Sequence, residues 1–192
     1  MDINTIFLIV VGLVLVGGYI WYTRIISNKN KVKEALSGID VQLQKRGELV
    51  PNILKIAKKF LEHEKELMTE ITRLRSEALK DYDKGSEEEV KNHLDIAKQL
   101  GGKMGQLMVA VENYPDLKSD QSMNQAMLTY NEVEAQIAAA RRFYNAAVNA
   151  LNNSVEIFPG NIIAGIANVK VMPFYEAPEE TKAPVDAGDY LS

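Results

Sequence analysis

Hydrophobic and polar positions divide this chain into stretches with different periods. From Ile3 to Thr23 there is no charged residue, and Ile6 to Tyr22 is an almost unbroken apolar run. About 20 such residues cross a bilayer core of roughly 30 Å, so residues 3–23 are expected to form a transmembrane helix. A half-solvated helix would need a polar face, which this run lacks. Tyr19, Trp21 and Tyr22 cluster at its far end, where amphipathic rings favour the headgroup region. A cleaved signal peptide fits less well, since the only early side-chain charge is Asp2 and the far flank is bulky and then basic.

Beyond a basic segment, 24–31, the apolar spacing becomes helical. Val32, Leu36, Ile39, Leu43, Arg46, Val50, Ile53, Ala57, Phe60, Glu64, Leu67, Ile71, Leu74 and Ala78 follow one another in steps of four and three, and all but Arg46 and Glu64 are apolar. Such a stripe marks an amphipathic helix, roughly 70 Å long if continuous. Pro51 lacks a backbone donor and clashes with the preceding turn, which predicts a kink or break near it. A turn at Asp83-Lys84-Gly85-Ser86 follows, and Ser86 with Glu89 reads as a capping box. Val90, Leu94, Ala97, Leu100, Met104, Leu107 and Val111 carry the second stripe, weakened by Gly101 and Gly102 and ended before Pro115. The third runs from about Ser119 to Phe158, interrupted by Glu134 and closed by Pro159-Gly160. A short fourth helix is expected around Asn161 to Ala167. Val169, Val171 and Phe174 alternate briefly as a possible edge strand, limited by Pro173. An acidic tail follows from Glu176, with the composition of a poorly ordered terminus.

These elements predict an all-α protein: a transmembrane helix, then an antiparallel bundle of three long helices and a short fourth over 32–168, with an edge segment and tail over 169–192. Arg24, Lys29, Lys31 and Lys33 follow the span and no Lys or Arg precedes it. The positive-inside rule therefore puts the N-terminus outside and the bundle in the cytoplasm. Gly12, Gly17 and Gly18 do not form a GxxxG dimerisation pair.

Composition narrows the function. With a net charge of −4, a nucleic-acid partner is not expected. The absence of cysteine excludes disulfides, thiolate nucleophiles and cysteine-ligated metals. His63-Glu64-Lys65-Glu66-Leu67 begins like a zinc-protease motif, but Leu67 stands where the second histidine ligand is required. Asp81-x-Asp83-x-Gly85 approaches a calcium loop, yet the glycine comes one place early and Asn92 occupies the closing position. Gly101-Gly102-Lys103 lacks the rest of a phosphate loop. No catalytic residue, cofactor or metal ligand is assigned, and an enzyme is not expected. Three charges on apolar stripes stand out instead. Arg46, Glu64 and Glu134 either lie at a stripe edge, with the Arg46 stem snorkelling, or are paired inside. For Arg46 the partner would be Asp40 or a carboxylate of another helix. Asn145, Asn152 and Asn161 suggest side-chain capping or inter-element hydrogen bonds, with a partner surface as the alternative.

Two long motifs carry a resemblance. The first is Asn30-Lys31-Val32-Lys33-Glu34-Ala35, then Ile39-Asp40-Val41-Gln42-Leu43-Gln44-Lys45-Arg46 and Leu49-Val50-Pro51-Asn52-Ile53-Leu54. The second is Arg141-Arg142-Phe143-Tyr144-Asn145, through Val148 and Asn152, to Phe158-Pro159-Gly160-Asn161-Ile162-Ile163-Ala164. A weaker echo is Phe174-Tyr175-Glu176 with Ala183-Pro184-Val185. Together with the anchor they resemble the LemA family. Ser27-Asn28-Lys29 departs from the family's Tyr-Asn pair after the anchor, and Ile166 to Val169 replaces an aromatic pair. The resemblance implies a single-pass bacterial inner-membrane protein with an antiparallel four-helix domain and no enzyme activity. It makes Asp40, Arg46, Pro51, Asn52, Arg141, Arg142, Tyr144, Asn145, Asn152, Phe158, Pro159 and Asn161 candidate structural or interaction residues. The expected role is a membrane-anchored scaffold binding another envelope protein or itself. The alternatives are a self-assembling membrane-shaping protein and, since family members are often encoded near membrane-linked proteases, an accessory factor of such a protease.

Overall fold

The computed structural model describes residues 2–61 and 64–176. Its described elements are all helical: α1 (Ile3–Ala57), α2 (Lys65–Ala78), α3 (Glu87–Glu112), α4 (Pro115–Lys118), α5 (Gln121–Glu156) and α6 (Gly160–Ile166). The apolar N-terminal run and the first amphipathic stripe form one continuous helix of 55 residues. Its first part is long and apolar enough to cross a bilayer and touches no other element closely enough to be buried. From Ile25 onward one face is buried, through Val32, Leu36, Ile39, Leu43, Val50 and Ile53.

The chain reverses after Ala57, not at Pro51. A proline inside a helix orphans the carbonyl four residues back, here that of Gly47. Arg75 of α2 donates its Nε–H to that carbonyl at 2.5 Å, so the helix continues through Pro51 with the lost bond replaced from a neighbour. Gly47 also admits Leu79 closely: a Cβ there would lie 3.1 Å from the leucine Cδ2. α2 therefore runs back along the end of α1. Glu64 sits at the start of α2, partly exposed, and does not belong to a buried stripe. His63 lies outside the described residues.

The turn before α3 is built as the sequence suggests, with one exchange. Ser86 Oγ accepts from the Glu89 N–H at 3.3 Å, and Asp83 Oδ1 accepts from the Gly85 N–H at 2.8 Å. Glu89, however, reaches back to the Asp83 N–H at 2.7 Å rather than to the cap residue's own. Asp83 of the calcium-like sequence thus closes a turn. α4 is a single turn, with Pro115 at its start. α5 is capped by Asp120, whose Oδ1 accepts from the Met123 N–H, and packs antiparallel along α1.

The interior falls into two apolar clusters stacked along the bundle. The one nearer the apolar run gathers Ile25 to Leu43 of α1, Val90 to Ala97 of α3 and Val133 to Leu151 of α5, with Ala164, Val169, Met172 and Tyr175. The far one gathers Val50, Ile53, Leu61, Ile71, Leu74, Leu100 to Leu117, Met123 and Tyr130. Residues 169–176 form neither helix nor strand, so the expected edge strand does not form. The segment runs back along α5 as a strap. The acidic tail beyond Glu176 lies outside the described residues.

Candidate functional site

Between the two apolar clusters lies a polar layer. Arg46 points inward from α1 and is 2% exposed, which overturns both the snorkelling reading and the pairing with Asp40. Its Nη1 lies 3.3 Å from Glu134 Oε1 on α5, and its Nη2 donates to the Ala97 carbonyl of α3 at 2.8 Å. The two charges that interrupt separate stripes in the sequence thus neutralise each other. Gly101 makes the space: a Cβ there would lie 3.3 Å from Arg46 Nη1. A glycine that looks like a weak point in α3 is the floor of the guanidinium site. Tyr130, one turn before Glu134, is buried in the same layer. Burial pushes its phenol up, and the Glu134 charge adds to this against the opposing effect of Arg46.

Asp40, six positions nearer the apolar run, has a different set of partners. Its carboxylate accepts from the Tyr82 hydroxyl at 2.9 Å and meets Lys84 Nζ at 2.6 Å, with His93 Nε2 at 3.3 Å. Tyr82 stacks on His93, ring centroids 4.0 Å apart, and Lys84 also donates to Ser37 Oγ. Burial alone would raise the Asp40 pKa. The contacts from His93, Lys84 and Tyr82 outweigh it and hold the carboxyl below its ordinary value. This cluster ties the α2–α3 turn to α1.

The asparagines of α5 hold the strap. Asn145 Nδ2 donates to the Tyr175 carbonyl at 3.0 Å, and its Oδ1 accepts from the Tyr175 N–H at 2.8 Å. Asn152 does the same with Met172, at 3.0 and 2.9 Å. A side-chain amide presents the same donor–acceptor pair as a peptide, so each asparagine replaces one residue of a missing neighbouring strand. Their spacing of seven puts both on one helix face. The Tyr144 hydroxyl adds a bond to the Pro173 carbonyl at 2.8 Å, and the Arg141 guanidinium lies 5.9 Å from the Tyr175 ring centroid. Buried Asn28, from the tripeptide that departs from the family pattern, donates to the Ala150 carbonyl at 3.2 Å.

The remaining candidates face outward. Asn52 and Arg142 are exposed. Phe158, 72% exposed, precedes a cis bond to Pro159. Asn161 is exposed, its Oδ1 accepting from the Ile162 N–H. Gly160 is required where it stands: a Cβ would fall 2.1 Å from the Ser154 carbonyl oxygen and 3.4 Å from the Trp21 ring. The second motif thus meets the end of the apolar run. On the outer side of α5, Phe143 is 74% exposed and Leu128 61%. A groove of about 580 Å³ lies beside the strap, lined by Lys29, Lys33, Lys84, Lys91 and Lys170 together with Glu87 and Glu88. Among the described residues no group of three or more His, Asp or Glu is placed to hold a metal ion.

Sequence reasoning missed Tyr82, His93, Lys84, Gly101 and Tyr175 as partners. Arg46 and Glu134 announced themselves as opposite charges on apolar stripes, and Asn145 and Asn152 as asparagines suited to inter-element hydrogen bonds.

The chain has relatives among known proteins. The chain is similar to Protein LemA of Metamycoplasma hominis, 25% identical over 167 residues, which cover 86% of this chain and 74% of that one. It is also similar to the magnetosome proteins MamQ 1 and MamQ 2 of Paramagnetospirillum magneticum, each 30% identical over 86 residues. That match covers 45% of this chain and 32% of theirs, so the chain spans about a third of the length of these relatives. The sequence profile of the LemA family matches residues 35–187, from the first motif past the strap, and the chain belongs to the LemA family.

Proposed function

We propose that this protein is a non-catalytic, membrane-tethered scaffold. Its apolar N-terminal helix anchors it in the bacterial inner membrane, and its bundle, on the cytoplasmic side, presents the outer face of α5 to another envelope protein. The observation that carries the reading is Phe143, 74% exposed in the middle of a 36-residue helix and flanked about one turn away on either side by the small side chains of Ala139 and Ala146. A large exposed ring among small neighbours suits an anchor-in-groove contact. The interior polar groups support a structural role: Arg46, Asp40, Asn145 and Asn152 each join one element to another. Arg24, Lys29, Lys31 and Lys33 after the span support the cytoplasmic placement.

In-cell photocrosslinking from position 139, beside Phe143, tests the reading. One dominant heterologous adduct that disappears with Phe143→Glu is expected. No adduct from 139 or from the neighbouring positions 135 and 146 would overturn it. Adducts to a second copy alone would replace it with the self-assembling membrane organiser.

A further inference from the structure

The end of the bundle nearest the anchor carries apolar side chains on both of its sides. α6 buries Gly160 and Ala164 and packs Ile163 and Ala167 against the bundle. A helix facing water on its other side would carry polar residues there. Instead that side carries Ile162 and Ile166, 57% and 83% exposed, next to Ile157 and Phe158 on the turn from α5. Asn161 is its one polar side chain. The four large residues form a contiguous apolar tip at the α5–α6 turn.

Its place in the fold identifies what covers it. The Trp21 ring lies against Gly160, the first residue of α6. Trp21 belongs to the aromatic cluster that ends the apolar run of α1, where indole and phenol rings settle at headgroup depth. The Arg24 guanidinium lies over the same ring, 5.4 Å from its centroid. The tip is thus continuous with the surface through which α1 leaves the membrane.

We propose that the α5–α6 turn is a second membrane contact, with Ile157, Phe158, Ile162 and Ile166 inserted into the headgroup and outer acyl region of the leaflet from which α1 emerges. The inference rests on the anchor reading of residues 3–23. Its occupant is lipid, to a depth of about 5–10 Å, as for other interfacial helices. The exposed part of the Phe-Pro-Gly-Asn motif would then be a membrane-docking element, and Gly160 the point where it closes onto Trp21.

The chain has no cysteine, so single cysteines can be introduced into the full protein and labelled with an environment-sensitive fluorophore. Val14→Cys, Phe143→Cys, Ile162→Cys and Ile166→Cys would be reconstituted in vesicles of phosphatidylethanolamine and phosphatidylglycerol. Nitroxide-bearing lipids would serve as membrane quenchers and iodide as the aqueous one. Labels at 162 and 166 are expected to emit blue-shifted and to be quenched more strongly by a nitroxide near the headgroup end of the acyl chain than by one near its terminus. The label at 14 should respond most to the deeper nitroxide, and the label at 143 to iodide alone. Iodide quenching at 162 and 166 equal to that at 143, with 14 still lipid-quenched, would overturn the inference and leave the anchor intact. Protection at 162 and 166 from both quenchers, as a covering protein would give, would overturn it as well. Iodide access at 14 would overturn the anchor reading itself.

Discussion

Replacing Arg46 and Glu134 one at a time should have unequal effects, because the two are unequally buried. Arg46 is 2% exposed and its side-chain partner Glu134 is 35% exposed. Removing the carboxylate leaves a guanidinium inside the bundle with, among the described residues, the Ala97 carbonyl to accept from it. Breaking a buried pair this way costs about 3–5 kcal/mol. Partial screening of Glu134 puts Glu134→Ala near the lower end, about 3 kcal/mol. Removing Arg46 is different, since Glu134 can turn to water. Arg46→Met keeps most of the buried stem and is expected to cost about 1 kcal/mol or less. Arg46→Ala opens a cavity and should cost about 2–5 kcal/mol, like other large-to-small core changes. At about 2–4 °C per kcal/mol for a chain of this size, thermal unfolding of the detergent-solubilised protein by circular dichroism separates these cases. Glu134→Ala should lower Tm by about 6–12 °C and Arg46→Met by no more than about 4 °C. Gly101→Ala provides a cross-check. It crowds Nη1 in the natural protein, whereas with Arg46→Met it should stabilise α3 by up to about 1 kcal/mol, the usual gain of alanine over glycine in a helix. Equal melting temperatures for Arg46→Met and Arg46→Ala, or for Arg46→Met and Glu134→Ala, would refute the reasoning.

Three further outcomes are expected. Asn152→Ala removes both bonds to Met172, about 2 kcal/mol in total, so hydrogen exchange at the Met172 amide should accelerate by roughly 30-fold if the strap opens locally; Asn145→Ala should do the same at Tyr175, and unchanged protection would show that the strap is held without the two asparagines. Pro51→Ala restores a donor to the Gly47 carbonyl, so Arg75→Ala, worth about 1–3 kcal/mol in the natural protein, should cost less than about 1 kcal/mol in that background, and a double-mutant cycle showing no coupling would dismiss the substitute bond. The Asp40 carboxyl is held below its unfolded value of 3.8, so its contribution to stability is complete above that pH and is lost as pH falls through the lower folded value; Tm measured down to about pH 2 should fall less steeply for Asp40→Asn, and identical slopes would remove Asp40 from the acid limb.

The sequence makes helix faces visible because burial repeats every three or four residues, and it marks α3 and the end of α5 through Ser86, Pro115 and Pro159. It hides the reversal after Ala57. Seven positions separate Ala57 from Lys65, two helical turns in length, so the apolar stripe re-enters α2 in phase and looks unbroken. Pro51 draws attention to the wrong place because its orphaned carbonyl is satisfied by Arg75, which lies 28 positions away. Arg46 and Glu134 are each visible as anomalies, but their meeting depends on the pairing of α1 with α5. Gly101 is legible only once that pairing is known. The strap is hardest to see: its hydrogen bonds go to two amide side chains, which leave neither the alternation of a strand nor the periodicity of a helix.

The continuity of α1 has a mechanical consequence. From Arg24 to Ala57 the same helix continues for about 50 Å beyond the apolar run, locked into the bundle by α5 and with no joint between. With residues 3–23 in a bilayer, the protein is a lever whose short arm is the span and whose long arm is the bundle. Spans tilt by about 20° on average, and the angle changes with bilayer thickness. At that angle the far end of the bundle, around Ala57 and Leu117, is carried sideways by about 17 Å. Rotation of the span about its own axis likewise turns the outer face of α5 by the same amount. Local thickness and lipid order are thereby converted into the position and heading of a surface far from the membrane.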